Sequence, residues 1–423
     1  MDNELPLTNS NVISGGGVTS AWGFSACGLH VGFRKNPARP DMALVVADEP
    51  AAAAATFTTN RFCAAPVQVS RAQLGGAERC YGTAQAVVIN SGNANAATGE
   101  PGLETARATC RIVSETVGCA PSEVLVASTG VIGQQLGLEC FETGVPAAYQ
   151  ALSREGGKGA ACAIMTTDTH PKECAVEWES ADPAFAGKKF IVGGMCKGSG
   201  MIMPNMATMI AVITTDAPVE PSALRAALSA AVSATFNKVT VDSDTSTNDT
   251  CFMLASGAAA KEVEPIREGT PAFEELAAAT RSVCENLARQ IAGDGEGSTR
   301  LVTVTVKGAA SDEEADALAR SVANSPLVKT AIAGHDCNWG RIAAALGKCG
   351  VPFDQTKVDI DIMDLPVCRA GLTVPFDEDE ALRRFERTEI TIVADLHAGD
   401  AETTVWTCDL THGYISINAD YRS

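Results

Sequence analysis

No two cysteines in the chain are spaced Cys-x-x-Cys, although there are fifteen of them in 423 residues. Neither a zinc ribbon nor a thioredoxin-type redox motif is therefore supported. Their number is odd and their spacing irregular, and Cys110, Cys251 and Cys284 sit among apolar neighbours. In such settings cysteine usually serves as a small buried hydrophobe. Histidine is scarce: His30, His170, His335, His397 and His412 are dispersed, with no pair at metal-ligand spacing. Basic residues are outnumbered, 32 Lys and Arg against 51 Asp and Glu, for a formal net charge of −19. Nucleic-acid binding is driven by Lys and Arg neutralising phosphates, so that class of partner is excluded. No apolar run approaches the roughly 18 residues of a membrane span. The start, Met1-Asp2-Asn3-Glu4, lacks the basic and apolar regions of a signal peptide. These absences predict a reduced, cytoplasmic protein with no membrane partner.

What is present fits a globular body. Hydrophobic residues make up 46% and charged residues 20%, and at roughly 150 residues per domain the length suggests two or three domains or one large α/β unit. Residues 1–17 are polar, end in Gly15-Gly16-Gly17 and read as a flexible tail. Short apolar runs at Ala43–Val46, Ala86–Ile89 and Val124–Ala127 read as buried strands, and Leu103–Val113 as a helix. Ser222 can N-cap a helix whose Leu224, Leu228, Val232 and Thr235 share a face. Phe273, Leu276, Val283, Leu287 and Ile291 form a second such face, stopping at Gly293. Leu301–Val306 is a strand, and Ser311 with Glu314 is a capping-box signature for the helix that follows. Arg387–Leu396 and Thr403–Cys408 are further strands. Strands and helices mix without a strict βαβ rhythm, which predicts layered α/β architecture with mixed sheets.

Familiar functional motifs fail on spacing. Gly193–Gly200 (GGMCKGSG) is rich in glycine, but Lys197 precedes the last glycine, whereas a P-loop lysine follows it. Gly340–Lys348 has the wrong spacing, and Cys349 stands where Ser or Thr is needed. No G-x-G-x-x-G follows a strand, and no G-x-S-x-G elbow occurs. Asp242–Ser246 resembles the front of a calcium loop, but Thr247 and Met253 occupy the places of the required Gly and Glu. A hydrogen-bonded turn is the better reading there. What remains is a set of polar loops around Thr129-Gly130, Thr166–Thr169, Lys197, Thr208, Asp242–Asp249 and Glu296, without an evident histidine base.

The stretch Lys197–Met209 (KGSGMIMPNMATM) closely resembles the self-cleavage region of the ornithine acetyltransferase family. Asn90–Gly99, Ala127–Gly133, Ile164–Thr169, Phe236–Asp249, Gly293–Thr299, Asp336–Arg341 and Ile417–Arg422 resemble further family blocks in family order. The likeness runs from about residue 18 to Ser423. It implies the mixed-sheet layered α/β fold of that family and a glutamate N-acetyltransferase of arginine biosynthesis. It implies autocatalytic cleavage between Ala207 and Thr208, giving an α chain that ends at 207 and a β chain, 208–423, that assemble as α2β2. The substrates implied are N-acetylornithine and glutamate, with acetyl-CoA as a further donor in bifunctional members, and no metal or organic cofactor. Thr208 is then the nucleophile, with Thr129 and Gly130 as the oxyanion hole. Thr166, Lys197, Thr208, Glu296, Asn418 and Ser423 become substrate contacts, Ser423 standing where the family often has Thr.

The chemistry of the residues agrees. A threonine hydroxyl needs a base, and cleavage before Thr208 would free an α-amine of pKa about 7.7–8.0 on the same residue. Taken alone, Thr208 reads as the first residue of a buried strand, Met209–Thr214, and Thr129-Gly130 as a strand-ending turn. Lone Lys and Glu residues such as Lys197 and Glu296 are usually solvated, and His335 and Cys337 beside Asp336 read as ordinary loop residues. The competing functions are a self-processing aminopeptidase or amidase, an uncleaved amino-acid-binding relative, and a secondary-metabolism acetyltransferase of the same family.

Overall fold

The computed structural model of the chain describes residues 10–203 and 209–420. Two sheets organise it. The larger has nine strands: β1 (Ser10–Val12), β2 (Phe24–Leu29), β3 (Met42–Phe57), β4 (Tyr81–Asn93), β5 (Val124–Val131), β6 (Lys172–Glu179), β7 (Lys189–Lys197), β8 (Ile210–Thr215) and β9 (Thr250–Ala255). Across the sheet they run β1-β6-β7-β8-β9-β3-β4-β5, with β2 added beside β3. The parallel pairs are β4–β5 and β8–β9. A parallel return needs a long crossover, and each has its helix. After α1 (Ala65–Gln73), which links β3 to β4, α2 (Gly99–Val117) provides the first crossover. With α3 (Glu139–Gln150) and α4 (Gly157–Ile164) following β5, α5 (Pro221–Ala234) provides the second.

Strand side chains alternate between faces, so β8 feeds two cores. Ile210 and Val212 meet Val45 of β3, Val87 of β4, Leu125 of β5 and the apolar side of α4, so the inner faces of the two halves of the sheet close on one another. Ala211 and Ile213 point outward, under α5 and α6 (Pro271–Gly293). On the opposite side α2 and α3 cover Leu44, Val88 and Val126. The result is helix, sheet, sheet, helix. A second sheet comprises β10 (Leu301–Ala309), β11 (Asp359–Ile362), β12 (Leu365–Arg369), β13 (Leu372–Thr373), β14 (Glu389–Asp395) and β15 (Ala401–Cys408), ordered β13-β12-β11-β14-β10-β15. It packs Val302, Val304 and Val306 against α7 (Asp312–Ala323), α8 (Pro326–Ala333) and α9 (Trp339–Gly347). After α10 (Glu378–Arg384), the described chain ends in α11 (His412–Asp420), which has no buried residue. The expected mixed-sheet α/β class is the class observed.

Two local expectations are corrected. Residues 10–13 of the expected tail are tied to the sheet, although β1 itself is exposed: β1 pairs with β6, and Ile13 N–H donates to Ala175 O at 2.8 Å, while Gly16 and Gly17 are buried. Gly16 and Gly17 serve close packing, since a Cβ on Gly16 would lie 2.7 Å from Ala175 Cβ and one on Gly17 2.2 Å from Glu173 Oε1. Glu220, not Ser222, is the N-cap of α5, because Pro221 supplies a first helical residue with φ already fixed. Ser311 caps α7 as expected, accepting from Glu314 N–H at 3.3 Å. All fifteen cysteines are free thiols. Burial pushes the thiol of Cys110 up to about 11, in keeping with a structural role. Among the described residues no helix is long and apolar enough to cross a membrane.

Candidate active site

Strand ends from both halves of the large sheet converge on one cleft. Its lining includes Thr129, Gly130, Thr166, Lys197, Glu296 and Asn418, six residues singled out from the sequence and scattered over nearly 300 positions. Ala207, Thr208 and Ser423 lie outside the described residues. Upstream of the proposed cut, Gly200 and Met201 line the cleft; downstream, Met209 N–H is bonded to Asp249, the residue after the lining residue Asn248.

Thr129 and Gly130 are at the end of β5, in parallel register with Ser91 and Gly92 of β4. Gly130 has φ +134°, and a Cβ there would lie 2.3 Å from the Gly92 carbonyl carbon. Only glycine allows the two strand ends to approach so closely. Asn248 ties this corner together, its side-chain amide donating to Ala94 O at 2.6 Å and Ser128 O at 2.8 Å. The Ser128 hydroxyl in turn donates to Asn90 Oδ1 at 2.6 Å.

The opposite wall is charged. Lys172, with no exposed surface, donates to Asp168 Oδ1 at 2.7 Å and to Asp294 Oδ2 at 2.6 Å. Asp168 also accepts from Gly198 N–H at 2.7 Å and Thr166 N–H at 2.9 Å, so it fixes the backbone on both sides of the cleft. Asp294 accepts from the Thr169 hydroxyl at 2.5 Å and the Thr169 N–H at 3.0 Å. Burial alone would raise the Asp168 carboxyl, but Lys197 and Lys172 hold it well below the usual carboxylate range. Lys172 is also subject to burial, and Asp168 and Asp294 more than offset it, raising its ammonium above the ordinary value. Lys197 ends β7, is 2% exposed, and forms no ion pair within 4 Å among the described residues. Burial pulls its ammonium below the ordinary lysine value; Lys172 adds to this, and Asp168 only partly opposes it. A buried cation left short of a close carboxylate partner is suited to receive one from a ligand.

Glu296 faces Lys197 from the loop after α6. Its N–H donates to Ser199 O at 3.0 Å, and its carboxylate accepts from Asn418 Nδ2 of α11 at 2.7 Å. Gly200 makes room for it, since a Cβ there would lie 2.3–2.4 Å from the carboxylate atoms. Asp242 forms the hydrogen-bonded turn read from sequence, its Oδ1 accepting from Asp244 N–H at 3.3 Å, and it also clamps the strand exit, accepting from Met201 N–H at 2.6 Å and Ile202 N–H at 2.8 Å. Beyond the proposed cut, Asp249 Oδ1 accepts from Met209 N–H at 2.9 Å, and Met209 O accepts from Thr250 N–H at 3.0 Å. Asp249 is fully buried, and that burial pushes its carboxyl well above the usual range.

A family model described as the ArgJ family matches residues 25–423. The chain belongs to the ArgJ family. It is an acyltransferase of arginine biosynthesis. An "Arginine biosynthesis bifunctional protein ArgJ" of Symbiobacterium thermophilum is 48% identical over 96% of this chain and 99% of that protein. A protein of the same name from Thermosynechococcus vestitus is 45% identical over 96% of this chain and 98% of its own length. Among solved structures, the ornithine acetyltransferase of Mycobacterium tuberculosis in complex with ornithine is 34% identical, covering 46% of this chain and 98% of that one, with a TM-score of 0.41.

Sequence reasoning missed the organising role of Lys172, Asp294, Asn248 and Asp242 in this ArgJ-family cleft. Their partners are 30 or more positions away along the chain, so no local spacing announces them, apart from the four-residue step between Asp168 and Lys172. Asp336–Arg341 proves local in role: Asn338 Oδ1 caps α9 through Arg341 N–H at 3.2 Å. His335 stacks on Phe385, with ring centroids 5.8 Å apart.

Proposed function

We propose that this chain cleaves itself between Ala207 and Thr208 and then transfers acetyl groups from N-acetylornithine to glutamate through an acetyl-Thr208 intermediate. The observation that carries the reading is the gathering of Thr129, Gly130, Thr166, Lys197, Glu296 and Asn418 in one cleft, which Gly200 and Met201, shortly before the 204–208 segment, also line. In cleavage, the Thr208 hydroxyl oxygen adds to the Ala207 carbonyl carbon, and the C–N bond breaks. The hydroxyl proton passes to the departing nitrogen, and water hydrolyses the ester to leave a carboxylate on Ala207 and a free amine on Thr208.

In transfer, that amine takes the hydroxyl proton as the oxygen attacks the acetyl carbonyl of N-acetylornithine. The Thr129 hydroxyl and the Gly130 N–H would donate to the developing oxyanion. The proton then goes to the departing ornithine nitrogen, and the amine of glutamate reverses the sequence to give N-acetylglutamate. Lys197 suits a substrate carboxylate and Glu296 a substrate ammonium. The reaction so written draws on no metal or organic cofactor. The two pieces would stay joined, because β7 before the cut and β8 after it are paired from Val192 with Thr215 to Lys197 with Ile210. Assembly as α2β2 belongs to the same proposal.

A product assay tests the reading. With N-acetylornithine, ornithine release should require glutamate for sustained turnover and match N-acetylglutamate formed. Steady release of free acetate without glutamate would make the protein an amidase instead. Thr129→Ala should lower the transfer rate by ~10²-fold, as loss of one oxyanion donor typically does. An unchanged rate in a stopped assay would reduce Thr129 to a turn residue.

A further inference from the structure

The loop joining β2 to β3 is basic in an otherwise acidic protein. Between Leu29 and Met42 it carries His30, Arg34, Lys35 and Arg39, against one acid, Asp41. Asp41 is fully buried and turned inward, accepting from Val31 N–H at 2.7 Å and Arg34 N–H at 2.9 Å and lying 3.1 Å from His30 Nδ1. The one negative charge of the loop is thus spent on holding its backbone. Lys35 and Arg39 are exposed, and neither has a carboxylate within 4 Å among the described residues. Other cations, such as Lys348 and Lys357, also have no carboxylate within 4 Å among the described residues, so a reason for this pair must come from where it sits.

Their position supplies it. Arg39 donates to Thr166 O at 2.7 Å, and Arg34 donates to Met165 O, so the loop is fastened to the Thr166 rim of the cleft. Arg34 also lies along Gly92, where an added Cβ would come 3.1 Å from Arg34 Cγ, and Gly92 is in register with Gly130. The basic loop therefore borders both the proposed oxyanion corner and the substrate rim, yet contributes nothing to the lining of the cleft. N-acetylornithine and glutamate are small, and the buried Lys197 already offers them a cation inside. A ligand that uses Lys35 and Arg39 must extend out of the cleft and carry several negative charges at its far end.

We propose that this loop is the docking rim for the phosphate groups of a phosphorylated thioester donor, acetyl-CoA, with Lys35 and Arg39 meeting phosphates while the acetyl end reaches Thr129 and Gly130. The inference rests on the acetyl-transfer reading and adds the place where its second donor binds. Charge-assisted contacts to phosphate favour such a pairing, and exposed ones weaken with salt.

The double variant Lys35→Glu/Arg39→Gln tests it, the glutamine keeping a donor for Thr166 O. Initial rates with glutamate as acceptor are measured for three donors: acetyl-CoA, acetyl-pantetheine, which lacks phosphate, and N-acetylornithine. The expected result is a KM for acetyl-CoA raised ~10-fold or more, equivalent to the loss of one good charged contact. The other two donors should stay within about twofold, and added salt should weaken acetyl-CoA binding in the parent protein only. Equal losses with all three donors would overturn the proposal in favour of a role in holding Thr166. A raised KM for glutamate with every donor would overturn it in favour of acceptor steering. Failure of the parent protein to use acetyl-CoA would end this inference, while N-acetylornithine turnover would leave the acetyl-transfer reading standing.

Discussion

Thr208→Ala is expected to leave the chain in one piece of 43.7 kDa with no transferase activity. The hydroxyl is needed twice in the proposed chemistry, first to cut the backbone and then to carry the acetyl group. Alanine supplies neither, and the amine that serves as base is never released. The substitution removes only a hydroxyl and a methyl group, so the fold should survive. β7 and β8 pair whether or not the chain is cut, and Met209 keeps its bonds to Asp249 and Thr250. Thr208→Ser should still cleave and retain part of the activity, since it keeps both groups. A denaturing gel and the product assay read both variants, and a fully active Thr208→Ala would refute the assignment of the nucleophile.

Lys172→Met is expected to produce the largest loss of stability among the cleft residues. Lys172 lies between Asp168 and Asp294 with no exposed surface, and its removal leaves two buried carboxylates facing each other. Breaking a buried pair on one side typically costs about 3–5 kcal/mol, a large part of the roughly 5–15 kcal/mol that keeps a domain folded. Denaturant unfolding should report it as a lowered midpoint with little change in slope. Adding Asp168→Asn should recover part of the loss, because it removes one of the stranded charges.

The pH dependence has a definite sign. The Asp168 carboxyl in the folded protein is held below its unfolded value, so its contribution is present above about pH 4 and is lost as the pH falls through the folded value. In Lys172→Met that acid-side loss should shrink, leaving a flatter stability profile below pH 4. A variant as stable as the parent, with the same acid profile, would show that the ion cluster contributes little.

The legible parts of this fold were those encoded within one or two turns of chain. The Ser311 cap, the apolar face from Phe273 to Ile291 and the alternation in LVTVTV each depend on neighbours a few residues away. The roles within the Gly15–Gly17 run were not legible, because glycines that permit close packing, as at Gly16 and Gly17, and one in open space, as at Gly15, look alike in sequence. The same holds for Pro221, which took the start of α5 from Ser222.

At the cleft, the family blocks gave the cast but not the arrangement. Lys197 and Glu296 could be named from the resemblance. That Lys197 is buried beside an ion cluster is a consequence of β6 and β7 lying side by side, with Lys172 in register with Cys196. Likewise, nothing local in Asn248 foretells that its amide spans to Ala94 and Ser128 and fixes the corner at Gly130. Asn418 was named from the resemblance, but the helix α11 that carries it was unread, as were its bonds from Asn418 to Glu296 and from the Tyr414 hydroxyl to Asp242.

The central claim is that breaking one peptide bond creates the catalytic group. Intact-mass analysis of the freshly purified protein under denaturing conditions, with sequencing of each new terminus, tests it most directly. The account predicts two pieces, one ending at Ala207 and one beginning at Thr208. A single uncut polypeptide that still forms N-acetylglutamate from N-acetylornithine would contradict it.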